Sequence, residues 1–220
     1  MAKPANGKLY DLAAASPLIA WYIYAIAKLA PKTFAEIAAS PVSLQSLLTA
    51  GSQTVTILFL GLQILLFVIR RAPIGKAQGV LPRIAALIGS NLLLVLLAIP
   101  HAPLSPGMII FSTGLVIIGT AGAIYAAATL GRGFSVFPQA RTLEVSGPYR
   151  FVRHPIYLAE QIAAFGIMWQ YAMPWSALIV LANFIAQFPR MHFEEQVLSK
   201  NFPAYRAYVA CTARLIPGVY

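Results

Sequence analysis

The residues best able to do chemistry fall in two short stretches of the second half of the chain. The first runs Arg141-Thr142-Leu143-Glu144-Val-Ser-Gly-Pro-Tyr149-Arg-Phe-Val-Arg153-His154-Pro155-Ile156-Tyr157. Gly147-Pro148 predicts a turn, and Pro155 suits the first turn of a helix, where a missing N–H costs nothing. Arg153 and His154 then stand at a helix N-terminus, whose free N–H groups and dipole favour an anion such as a ligand carboxylate. Tyr149 and Tyr157 add flat aromatic faces and hydroxyl donors. The second stretch is Arg190-Met-His-Phe-Glu194-Glu195-Gln-Val-Leu198. Arg190 and Glu194, four apart, share a helix face, and two adjacent carboxylates suit a cationic ligand.

Plainer roles compete for the same residues. Arginines beside a membrane helix ordinarily anchor lipid headgroups, and a Glu-Glu pair is ordinarily a solvated face. His192 reads as solvated or packed. Asn183 and Gln187 read as bonds between helices. Glu160 differs because it interrupts an apolar run, and an ionisable residue at membrane depth is a functional candidate. The single cysteine, Cys211, excludes an internal disulfide and any CxxC pattern, so no metal site is expected.

The elements that position these residues are membrane helices. Of the 220 residues, 59% are hydrophobic and 10% charged, against about 25% charged in a soluble domain; mean hydropathy is +0.74. The net charge of +10 would suggest nucleic acid in a soluble chain, but here the basic residues sit between apolar runs. They read as a topology signal, with no nucleic-acid partner. A spanning helix takes about 20 apolar residues. Leu9–Ala30, stopped by Pro31, is the first candidate, and its length and aromatic content mark a retained helix rather than a cleaved leader. Pro31–Ser52 reads as a loop with a short interfacial helix. Gln53–Ile69, Ile84–Ile99 and Gly107–Leu130 are three further spans. Pro155–Tyr171 and Trp175–Phe188, broken at Met173-Pro174, form a helical hairpin, and the amphipathic chain from Pro189 reads as a separate interfacial helix. Pro217-Gly218-Val219-Tyr220 is no lipidation signal.

With an inside N-terminus, 14 of the 16 Lys and Arg residues lie on the inside, leaving only Lys28 and Lys32 opposite. The expectation is an all-α integral membrane protein of about five to six transmembrane helices. Both termini and both reactive stretches are then cytoplasmic, with a C-terminal hairpin and an interfacial tail helix. Residues 1–130 make about four spans, and 131–220 a C-terminal region carrying the chemistry.

Gly-Pro-Tyr-x-x-x-Arg-His-Pro-x-Tyr, a short hairpin, then Arg-x-x-x-Glu-Glu-x-x-Leu together resemble the isoprenylcysteine carboxyl methyltransferase and phospholipid methyltransferase superfamily. The tail Phe202-Pro-Ala-Tyr205-Arg-Ala-Tyr208 is similar to that superfamily's Phe-Gly-x-x-Tyr-x-x-Tyr. The resemblance covers roughly Gly131 to Pro217. It implies an S-adenosylmethionine-dependent membrane methyltransferase without a dinucleotide-type fold, in keeping with the absence of a strand–GxGxxG–helix unit. By resemblance, Arg141, Thr142, Leu143, Glu144, Tyr149, His154, Pro155, Ile156, Tyr157 and Glu194 would line the cofactor pocket. Arg190 would face a hydrophobic or lipid acceptor and, with Glu194, serve catalysis. Phospholipid amine and small-thiol methylation are the alternatives; NADPH-dependent sterol reductases resemble the same region but are longer.

Overall fold

A computed structural model describes residues 6–38 and 43–218; Lys3, Val219 and Tyr220, which entered the topology and C-terminal readings, lie outside them. The chain runs α1 (Asn6–Ala38), α2 (Leu44–Ile69), β1 (Gly75–Lys76), α3 (Leu81–Asn91), a tighter 3-10 segment (Leu92–Ala98) and α4 (Pro106–Leu130). It continues through β2 (Gln139–Ala140), α5 (Pro155–Met168), α6 (Trp175–Asn201) and α7 (Tyr205–Cys211). Strands β1 and β2 make one antiparallel pair. The protein is an all-α membrane protein. Among the described residues, α1, α2 and α4 are long and apolar enough to cross a membrane, and Leu81–Leu96 and α5 are shorter apolar helices.

Four boundaries differ from the sequence expectation. Helix α1 does not stop at Pro31 but runs on to Ala38, with Pro17 and Pro31 inside it. Proline removes one ladder bond, but uncoiling in lipid would strand many more polar groups, so the helix continues. Helix α2 starts nine residues before Gln53, at Leu44, because Ser43 and Ser46 form a reciprocal cap, each side chain accepting the other's backbone N–H at 3.0 Å. The span expected over Ile84–Ile99 is an α-helix only to Asn91 and then tightens. Lastly, the tail after Pro189 is no separate helix. Helix α6 passes straight through Pro189 to Asn201, which puts Asn183, Gln187, Arg190 and Glu194 along one face of one rod.

Small residues bring the helices close. A Cβ on Gly119 of α4 would sit 2.7 Å from the Ala159 carbonyl of α5, so only glycine permits this crossing. At one end of the bundle, β1–β2, the 131–154 loop and the C-terminal segment gather. There Val152 bridges Ala213 in parallel, and the Arg153 and His154 amides donate to Ala213 (2.8 Å) and Arg214 (3.1 Å). At the opposite end His101 bridges and stacks on Tyr171.

Candidate active site

Two adjoining cavities are present, one where α1–α4 meet α5 and α6 and one between the 131–154 loop, α6 and α7. The larger, about 310 Å³, is a mostly apolar chamber walled by α1 and α2 residues such as Trp21 and Phe59 and reached by Tyr157, Glu160, Arg190 and Glu194. Its volume is that of a small-molecule site. The smaller, about 40 Å³, is a more polar recess between Thr142, Leu143, Glu144, Tyr205 and Tyr208. Tyr149, Arg153 and Glu194 line both, so the recess adjoins the chamber.

The two adjacent glutamates have opposite fates. Glu195 accepts from Arg153 Nε at 3.1 Å and from Arg214 Nη2 at 2.6 Å, and stands 3.1 Å from His154 Nε2. Burial pushes its carboxyl up, but the hydrogen bonds from His154, Arg214 and Arg153 outweigh burial and hold it down at about 2. The anion expected at the N-terminus of α5 is thus supplied by the chain itself, and no ligand carboxylate is needed there. Glu194, one residue earlier, accepts one hydrogen bond among the described residues, from the Tyr157 hydroxyl at 2.9 Å, stands 4.0 Å from His154 Nδ1, and has about a third of its side chain exposed, at 31%. It is the carboxylate that remains available to both cavities.

Arg190 is 6% exposed. Its Nη1 donates to Gln187 Oε1 at 2.8 Å, and its guanidinium lies 4.7 Å from the centre of the Tyr157 ring. Its Nε has no partner among the described residues. No carboxylate lies within ion-pair distance of Arg190 among the described residues; Glu160 lines the same chamber. An incompletely paired buried cation is costly, and here it faces a cavity. In the recess the Tyr205 hydroxyl is likewise buried without a partner among the described residues. Burial, and then the nearby Glu194 carboxylate, push the Tyr149 phenol well up. Tyr208, pushed up by burial to about 12, donates to the Tyr149 carbonyl at 2.6 Å. These tyrosines are neutral hydroxyls at neutral pH. The Ser146 side chain holds the Glu144 carboxyl below the usual carboxylate range against partial burial, and the Ser146 and Val145 amides add to it.

Every residue expected to bind cofactor lines one of the cavities except Arg141. The Arg141 side chain is fully buried. It donates to both Asp11 oxygens (2.9 and 3.0 Å), to Gln139 Oε1 (2.6 Å) and to the Arg71 carbonyl. Arg70 Nε reaches the same carboxylate at 2.8 Å. Arg141 therefore ties α1, α2 and the strand pair together behind the recess. Asp11 escaped the sequence reading, although it interrupts the first apolar run just as Glu160 interrupts a later one. Also missed was Gly89, treated below.

The described residues thus form an all-helical bundle with an apolar chamber and an adjoining polar recess. Residues 107–205, a little under half of the chain, match the model of the phospholipid methyltransferase family, part of the integral membrane methyltransferase superfamily that includes isoprenylcysteine carboxyl methyltransferases. No curated protein matches the chain.

Proposed function

We propose that the protein transfers a methyl group from S-adenosylmethionine to a hydrophobic or membrane-lipid acceptor, at the cytoplasmic face of the membrane. The observation that carries this reading is the adjoining pair of cavities, one apolar and faced by a buried cation, one polar and lined by a partly exposed carboxylate. The recess, at about 40 Å³, holds only part of the cofactor, the rest lying along residues 154–157 in the chamber; Glu194 and Glu144 suit its ammonium, and the buried Tyr205 hydroxyl lacks a partner among the described residues. When bound, S-adenosylmethionine supplies a methyl group already activated on a sulfonium, so the reaction is an in-line displacement.

The protein's own part is alignment and exclusion of water. In this reading Tyr157 holds Glu194 in place, and Pro155 and Ile156 line the chamber beside it. Arg190 anchors an anionic group of the acceptor. An acceptor nucleophile that carries a proton must lose it as the new bond to carbon forms. Glu195 is saturated by three cationic or imidazole partners, which leaves Glu194 and Glu160 to take that proton. Residues 1–130 act as spans that wall the chamber, and 131–220 as the region that carries the chemistry.

Isothermal calorimetry with S-adenosylhomocysteine tests the reading. Purified protein should bind it at micromolar affinity, and Glu194→Ala should weaken binding by about tenfold or more, the loss of one hydrogen bond to a charged group. His154→Ala, acting through Glu195, should weaken it less. No binding to the intact protein would overturn the proposal. Labelled S-adenosylmethionine incubated with a membrane lipid extract would then reveal whether the labelled product is an ester, an amine or a thioether.

A further inference from the structure

Arg190 is held by a helix that lies outside the family-matched region. Gly89 sits in the last turn of α3, where helix carbonyls lack intrahelical amide partners. Its carbonyl accepts from two α6 side chains, Asn183 Nδ2 at 3.0 Å and Gln187 Nε2 at 3.2 Å. A carbonyl can only accept, so both amides must turn their NH2 groups toward it. The opposite end of each amide is then settled. Asn183 Oδ1 accepts from Gln161 Nε2 of α5 at 2.9 Å, and Gln187 Oε1 accepts from Arg190. Asn183 and Gln187 are almost wholly buried, at 1% and 2% exposed, and both line the chamber. A Cβ on residue 89 would collide with Arg190 Cδ, so the Arg190 stem passes through the space that only glycine leaves.

We infer that Gly89 and Gln187 are positioning residues that hold Arg190 facing the chamber, with no carboxylate within ion-pair distance among the described residues, so that α3 controls recognition of an anionic amphiphile. The inference rests on reading Arg190 as the acceptor-facing residue. Its chemistry is specific. Gln187 supplies a neutral acceptor, which steers one guanidinium N–H without cancelling the charge. A carboxylate at the same place would neutralise Arg190, and it lacks the N–H that bonds the Gly89 carbonyl. Gln187→Glu therefore removes both the tether to α3 and the open charge.

The probe is dibromostearate, titrated into the detergent-solubilised full chain and compared with its uncharged methyl ester. Trp21 lines the chamber, so bromine there quenches its fluorescence, and a Trp21→Phe control identifies that component. Wild type should show saturable quenching by the carboxylate and not by the ester, and Arg190→Ala should abolish it. Gly89→Ala, which pushes the Arg190 stem aside, and Gln187→Glu, which neutralises the guanidinium, should each weaken carboxylate binding by about tenfold or more. Affinity for S-adenosylhomocysteine should stay as in wild type, and Gln187→Glu carries the test if Gly89→Ala does not fold. Wild-type carboxylate binding by Gln187→Glu, or no carboxylate-specific quenching in the unmodified protein, would overturn the inference. Carboxylate-specific quenching without S-adenosylhomocysteine binding would sink the methyltransferase proposal and leave this one standing.

Discussion

Two buried arginine clusters differ in one respect. Around Asp11, Arg70 and Arg141 converge on a carboxylate at 2.8 and 2.9 Å with side chains almost wholly removed from solvent, and no cavity opens onto the Arg141 guanidinium. Around Arg190, the nearest partners are a neutral amide and an aromatic face, and a chamber lies in front of it. The first cluster is closed by protein and holds α1 to the loops. The second is left open, and the missing counter-charge is the room for a ligand. Glu195 and Glu194 repeat the contrast in carboxylates: one is saturated, and its neighbour keeps one bond and an open side.

The sharpest way to break this comparison is Asp11→Ala. Removing the carboxylate leaves two buried guanidinium groups facing each other, which should cost about 3–5 kcal/mol and lower the thermal midpoint in detergent well below that of Arg190→Ala. Equal midpoints for the two variants would mean that the closed cluster is not what holds α1. A smaller effect should come from pH. The folded Glu195 carboxyl, at about 2, lies below its unfolded value of about 4.3. Its stabilisation is therefore complete above that unfolded value and is lost as pH falls from about 4.3 toward 2. Thermal midpoints across that window should fall in wild type and fall less steeply in Glu195→Gln; matching slopes would show that Glu195 is not the group titrating. The smallest change should come from Glu144→Ala. It loses bonds to the Val145 and Ser146 amides worth about 1 kcal/mol in stability, and S-adenosylhomocysteine affinity should drop only a few-fold, as calorimetry would read.

Most of the candidate site could be read from the chain because it is local. Gly147-Pro148, Pro155 and the spacing of Arg190 and Glu194 dictate a turn, a helix start and a shared face, whatever lies around them. The boundaries that were misread share a cause. Pro31 and Pro189 are terminators in water, where freed backbone groups find solvent, but not in lipid or in a packed bundle. Asp11 was open to the same reasoning that singled out Glu160, since each interrupts an apolar run. Gly89 carried no local signal, because its role depends on a helix about a hundred residues away.

By itself the sequence determined the solvent, the helical class and the two stretches whose side chains line the cavities, all of which follow from composition and short-range spacing. Only the tertiary structure decided which charges are spent on the protein and which are left for a ligand. Arg141 and Arg190 are both arginines at a membrane boundary, and Glu194 and Glu195 are adjacent in the chain. Whether each is neutralised depends on partners brought from α1, α3 and the C-terminal segment, and no periodicity encodes that distance.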